Sequence, residues 1–137
     1  MEHKKTEQSW SARYELGVEL LDAQHRRLFD LVRAVQTEAE KEAGGPSLTA
    51  AVQELAGFAR LHFETEEKLM EEHDFSTAGF HRQAHKRLLQ DLAAFSGRVS
   101  QGMAHGTSVS EFLRKWVNEH VSHGDAMLAR HLKSRGY

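Results

Sequence analysis

Residues 47–72, SLTAAVQELAGFARLHFETEEKLMEE, hold the pattern from which the rest of the chain can be read. Leu48, Val52, Leu55, Ala59, His62, Glu66 and Leu69 recur at alternating steps of three and four, the spacing that lines up one face of a helix. The aliphatic members mark that face as core-facing, yet His62 and Glu66 stand in the same line. Burying even an uncharged polar group without a partner costs roughly 2–7 kcal/mol. A helix that puts an imidazole and a carboxylate on its buried stripe must therefore meet compensating groups there.

Three more stretches carry the same kind of seam. The first reads Leu21, His25, Leu28, Val32, Val35; the third Ala78, His81, His85, Leu88, Leu92, Phe95, Val99; the fourth Val109, Leu113, Trp116, His120, then His123 and Met127. Between them lie breaks at Gly44-Gly45-Pro46, at His73-Asp74-Phe75-Ser76 and from Gly102 to Thr107. Ser108 followed by Glu111 has the spacing of a capping box and is expected to start the last helix. These signals divide the chain into an N-terminal arm (1–21) and helices at about 22–42, 47–72, 76–101 and 108–133. No strand-like alternation of useful length interrupts them. The expected fold is all-α: a single domain built as an antiparallel, up-down-up-down four-helix bundle.

Bulk composition narrows the function classes. At 137 residues the chain fits one domain with a real core. A formal net charge of −2 without a Lys/Arg block argues against nucleic acid as a partner. No apolar run reaches the length of a membrane span, and the charged segment Met1–Gln8 does not resemble a secretory signal. Absence of cysteine removes disulfides, iron–sulfur clusters and thiolate zinc sites together. A cytoplasmic location is expected.

All four seams are interrupted by histidine, and at matching heights if neighbouring helices alternate in direction. His25 is early in its helix, His62 and Glu66 late, His81 and His85 early, His120 late. Left uncompensated, such a set would threaten a total stability of only about 5–15 kcal/mol. Metal ions are the natural compensation, and bundle interiors are an established place for them. The remaining His3, His73, His105 and His131 fall in the arm, in loops or near the C-terminal end, and are expected to be solvated. Five imidazoles with two or three carboxylates exceed what one ion accepts, so two ions are implied. Imidazole with bridging carboxylate suits iron, with manganese or zinc as weaker options. The Glu-x-x-His motif of carboxylate-rich di-iron oxidases does not occur; the nearest match is Asp22-x-x-His25.

Trp10, Leu16-Gly17-Val18, Leu21-Asp22-Ala23-Gln24-His25, His62-Phe63-Glu64-Thr65-Glu66-Glu67, His81-Arg82-Gln83-Ala84-His85, and Trp116-Val117-Asn118-Glu119-His120 followed by Asp125 form an ordered set spanning nearly the whole chain. In this set the chain resembles the bacterial hemerythrins. The resemblance implies two non-haem iron ions joined by an oxo or hydroxo bridge. One takes His81, His85 and His120; the other takes His25 and His62; Glu66 and Asp125 bridge both. It also implies an open position for dioxygen on the two-histidine iron. Where this chain has Asp74-Phe75 the family often has Tyr-Pro, so that turn is expected to differ.

One of these assignments strains regular helix geometry. His120 and Asp125 are five apart, which in an α-helix is about 140° away from a shared face. Seam spacing alone selects His123. A π-bulge near Gly124 would bring Asp125 round to the side of His120, and such bulges recur at functional sites. Leu28, Phe63, Trp116 and Val117 flank ligand positions and are expected to wall the open position, while Tyr14, Phe75 and the arm around Trp10 are expected to cap the bundle end. The leading function is reversible dioxygen binding, for carriage, storage or delivery to an oxygen-consuming protein. The alternatives are a di-iron enzyme, or a sensor, acting on peroxide, nitric oxide or dioxygen. An output domain after Tyr137 is not expected, which weighs against a sensor.

Overall fold

Apolar seams at helical spacing produce helices, and among the described residues helices are the regular structure. The computed structural model describes residues 14–41, 46–104 and 107–137, with the side chains of 121–123 outside that description. The expectations for Trp10, His3, His105, Gly44-Gly45 and the His123 side chain therefore lie outside the described residues. Helices run over Glu19–Lys41 (α1), Pro46–Glu72 (α2), Ala78–Ser100 (α3), Thr107–Glu119 (α4) and Ala126–Ser134 (α5). A π-helical turn, His120–Asp125, joins α4 to α5, so the fourth long helix is continuous but widened at one turn.

Every helix start shifts from expectation: α4 begins at Thr107, which puts Ser108 inside the helix rather than at its cap, α2 begins at Pro46, and the shifts of α1 and α3 have identifiable reasons. Helix α1 begins at Glu19 rather than Asp22, because Asp22 is already inside the first turn: its N–H donates to the Val18 carbonyl at 2.9 Å. The buried Asp22 carboxylate accepts the backbone N–H groups of Leu16 and Gly17 at 2.8 and 3.1 Å. Gly17 has φ +87°, and a Cβ there would meet Lys133 Nζ at 2.9 Å; that ammonium donates to the Leu16 carbonyl at 2.8 Å. The end of the arm is thus tied to both α1 and α5. Helix α3 starts at Ala78 rather than Ser76, since the chain first turns through Asp74 at φ 53°.

Residue numbers climb in one helix as they fall in its neighbour. Gln24 reaches Thr65 whereas Arg27 reaches Glu54; Arg82 lies beside Glu67 and His85 beside Phe63. Trp116 donates its indole N–H to the Leu88 carbonyl at 2.9 Å, while Phe112 stacks on Phe95 with ring centroids 4.3 Å apart. Two apolar clusters fill the interior. The larger contains Leu28, Val32, Leu55, Phe63, Leu92, Phe95 and Trp116; the smaller contains Val18, Leu21, Leu69, Met70, Phe75, Leu128 and Leu132. In sequence, the buried histidines and carboxylates fall between the members of the two clusters.

The π turn resets the last seam. Continuing the α4 spacing past His120 points Met127 inward, but Met127 is 47% exposed and Leu128 and Leu132 are buried. One extra residue in the widened turn rotates everything after it by about one position. Leu128→Ala should consequently destabilise the protein by about 2–5 kcal/mol, whereas Met127→Ala should change stability by no more than about 0.5 kcal/mol. Urea unfolding midpoints of the two variants check this; equal losses would place both residues in the core.

Candidate metal centre

Each seam delivers its polar residue to one place. His25 comes from the second turn of α1, His62 and Glu66 from one face of α2, His81 and His85 from α3, and His120 and Asp125 from the two ends of the π turn. All seven are buried. One ligand-type atom from each of His25, His62, Glu66, His120 and Asp125 lies within 4.8 Å of every other. His85 joins through Nε2, 3.0 Å from Glu66 Oε1. His81 stands at the rim: it lines an apolar cavity of about 310 Å³ together with His85, His120 and Gly124.

The π turn decides which residue of the last helix turns inward. Asp125 Oδ2 lies 2.8 Å from His120 Nε2 and 3.2 Å from His62 Nε2, and it also pairs with His25 Nε2. Gly124 lets His81 approach closely: a Cβ there would sit a tight 3.2 Å from His81 Nδ1 and 3.4 Å from its Cε1.

The contacts inside the cluster are those of donors waiting for a shared partner. The Nε2 atoms of His62 and His120 are 2.8 Å apart. Glu66 Oε2 is 2.9 Å from His62 Nε2 and 3.5 Å from His120 Nε2, while Oε1 faces His85. Neither Glu66 oxygen has hydrogen-bond geometry, and Asp125 Oδ1 has no hydrogen-bond partner among the described residues. Buried lone pairs directed at one another repel unless a cation lies between them. Nitrogen and carboxylate donors without thiolate fit a transition ion such as iron better than calcium or magnesium. The residues present fit a metal.

A second layer of side chains, to which spacing gave no role, fixes ring orientation. Gln24 Oε1 is 2.7 Å from His62 Nδ1, and Glu67 Oε2 is 2.8 Å from His85 Nδ1. In each case Nδ1–H donates outward and Nε2 is left facing the cluster. The only sequence signal was adjacency, Gln24 to His25 and Glu67 to Glu66. Phe63 stacks on His85 with centroids 4.2 Å apart and planes 4° from parallel, and Leu28, Trp116 and Val117 are buried nearby. Tyr14 packs on Phe29, and Phe75 on His81 and His131. His73 and His131, both expected to be solvated, are half-buried, and His131 donates to the His73 carbonyl at 2.7 Å.

The family model described as the hemerythrin HHE cation binding domain matches residues 16–132. Similar proteins include the bacteriohemerythrin of Stenotrophomonas maltophilia (strain R551-3), 24% identical over 91% of this chain and 81% of that one. The bacteriohemerythrin of Ralstonia nicotianae is 29% identical over 93% and 90%. In fold, the chain superimposes on the crystal structure of wild-type hemerythrin with a TM-score of 0.80 at 22% identity, covering 90% of this chain and 96% of that one. A buried cluster of histidines and carboxylates in an all-α, four-helix-bundle fold defines a metal-binding helical protein. The chain belongs to the hemerythrin HHE cation-binding family.

Without metal, protons take the place of cations. Burial lowers the pKa of His120, but Asp125 and Glu66 outweigh it and raise it to about 10. His62 is likewise pushed down by burial and then raised further by Glu66 and Asp125. Burial would raise Glu66, yet His62 and His120 hold it well below its ordinary value, and Asp125 also ends lowered, against burial and Glu66, by His120. His81 is lowered, by burial and then by His85. Imidazoles with raised pKa stabilise the folded state below their unfolded value of 6.5 and lose that contribution as pH climbs through their raised values, about 10 for His120. The lowered carboxylates lose theirs as pH falls below their ordinary values, 4.5 for Glu66 and 3.8 for Asp125. Lowered His81 likewise works against stability as pH drops below 6.5. Metal-free protein should therefore show a urea midpoint that declines steadily from about pH 6.5 to 10. The metal-loaded form, whose ligand imidazoles are already neutral, should not. A flat alkaline profile for the metal-free form would contradict the proton-for-metal exchange.

Proposed function

We propose that this protein binds dioxygen reversibly at a non-haem di-iron centre, as carrier, store or delivery protein for an oxygen-consuming partner in the cytoplasm. The observation that carries the reading is Glu66: one carboxylate oxygen lies 3.0 Å from His85 Nε2 and the other 2.9 Å from His62 Nε2, with His120 farther off at 3.5 Å. A buried carboxylate with its two oxygens committed to different imidazole groups is arranged to span two cations. In this reading His81, His85 and His120 would hold one iron, His25 and His62 the other, and Glu66 and Asp125 would be shared between them. When bound in the reduced state, the iron pair supplies two electrons that dioxygen takes up and gives back.

The chain's own residues supply the rest. Five imidazoles against two carboxylates keep the negative charge of the ligand set low, which favours a reversible exchange over deeper oxidation. Phe63, Leu28, Trp116 and Val117 keep water from the cluster, and apolar packing borders it toward both ends of the bundle. Excluding water suppresses proton delivery, the step that would turn reversible binding into release of a reduced oxygen species. No helix among the described residues is long and apolar enough to cross a membrane.

Reconstituted, reduced protein should contain two equivalents of iron. It should develop visible charge-transfer bands under dioxygen that vanish on deoxygenation, as followed by optical spectroscopy with elemental analysis. Irreversible bleaching with peroxide release would move the assignment to an enzyme. Asp125→Ala should lose iron, whereas His123→Ala should retain both equivalents; the opposite result would exchange their roles.

A further inference from the structure

The two ends of the cluster are backed by different chemistry. Behind His85 stands a carboxylate: Glu67 Oε2 accepts from His85 Nδ1 at 2.8 Å. Arg82, 3.9 Å from Glu67 Oε1 and well exposed, trims that charge without removing it. Behind His62 stands a neutral amide. Its orientation follows from a chain of hydrogen bonds: the Thr65 hydroxyl donates to the Leu61 carbonyl at 3.0 Å, so its oxygen is left to accept from Gln24 Nε2 at 3.4 Å. The Gln24 carbonyl must then face His62 Nδ1, where it lies 2.7 Å away. The other imidazole of that end is less supported still. His25 Nδ1 is buried with no hydrogen-bond partner among the described residues.

We propose that Gln24 and Glu67 are positioning residues that make the two metal positions unequal. The anionic Glu67 strengthens electron donation through His85, and the neutral Gln24 leaves His62 a weaker donor. The ion served by His85 therefore holds the oxidised state more readily than the ion served by His62. This rests on the two-iron reading above and extends it. A carboxylate behind a ligating imidazole draws its proton outward and enriches the ring nitrogen facing the metal, which favours the higher oxidation state; an amide does this less. Neither residue lies among the seven ligand positions, so each can be changed while leaving the donor set intact.

The test uses full-length, iron-reconstituted protein and reads the reduction potential by spectroelectrochemistry, with iron content measured on the same samples. Gln24→Glu should retain iron and shift the potential downward, and Glu67→Gln should retain iron and shift it upward. Gln24→Leu, which cannot accept from His62, should instead weaken zinc binding about 10–100-fold in a chelator competition, a readout free of redox chemistry. The proposal is overturned if Gln24→Glu and Gln24→Leu behave alike, if the two charge variants move the potential in the same direction, or if neither moves it. Should Gln24→Glu not fold, the direction of the Glu67→Gln shift decides alone. Dioxygen plays no part in these measurements. Failure of reversible oxygen binding with the expected shifts would sink the proposed function and leave this inference standing, and unmoved potentials in a protein that binds dioxygen reversibly would do the reverse.

Discussion

Imidazole nitrogens brought within 2.8 Å of each other in a closed interior, with carboxylate oxygens beside them that lack hydrogen-bond geometry, set the terms for everything else here. Such a group cannot persist as bare lone pairs. It needs protons or metal cations between its members, and the two compete for the same atoms. The raised His120 and lowered Glu66 describe the proton-filled state, in which the cluster is an ion-pair network. Buried ion pairs are weak sources of stability because desolvation offsets most of their attraction. Retaining one in a small core makes physical sense when the same atoms serve a cation.

The helices serve that requirement in specific ways. Apolar clusters border the polar group on both sides, so its side chains are buried and held on helices rather than on loops. Asp22 and Lys133 fasten the end of the arm to α1 and α5. Trp116 fastens α4 to α3 through the Leu88 carbonyl, just above His85 and His120. The π turn places two members of the cluster with a single irregularity, turning both His120 and Asp125 inward.

Much of this was legible because helical periodicity reports burial, and a histidine on a buried seam is conspicuous. His25, His62, Glu66, His81, His85 and His120 stood out by that logic, and all are buried. Asp125 did not, since a five-residue step from His120 is invisible to a rule built on three and four. The same irregularity put Met127 on the expected seam and Leu128 on the real one. Gln24 and Glu67 were silent for another reason. They sit half-buried beside the seams, where a polar residue is ordinary, and their role exists only through rings supplied by another helix. His131 was read as solvated because proximity to a chain end says nothing about a loop folded back onto it.

Those half-buried partners bear on how one ligand set can serve different chemistries. The innermost donors fix which ions fit and how many, and they leave little room for change, since each removal exposes a buried charge. The residues behind them are freer. Replacing an amide by a carboxylate behind an imidazole alters electron donation without altering the donor atom, its distance or its neighbours. In this protein the two ends of the cluster already differ in that respect, with Glu67 behind His85 and Gln24 behind His62. Under the proposed two-iron reading, control over how tightly electrons are held lies with side chains outside the donor set, while burial and the π turn keep the cluster residues where they are.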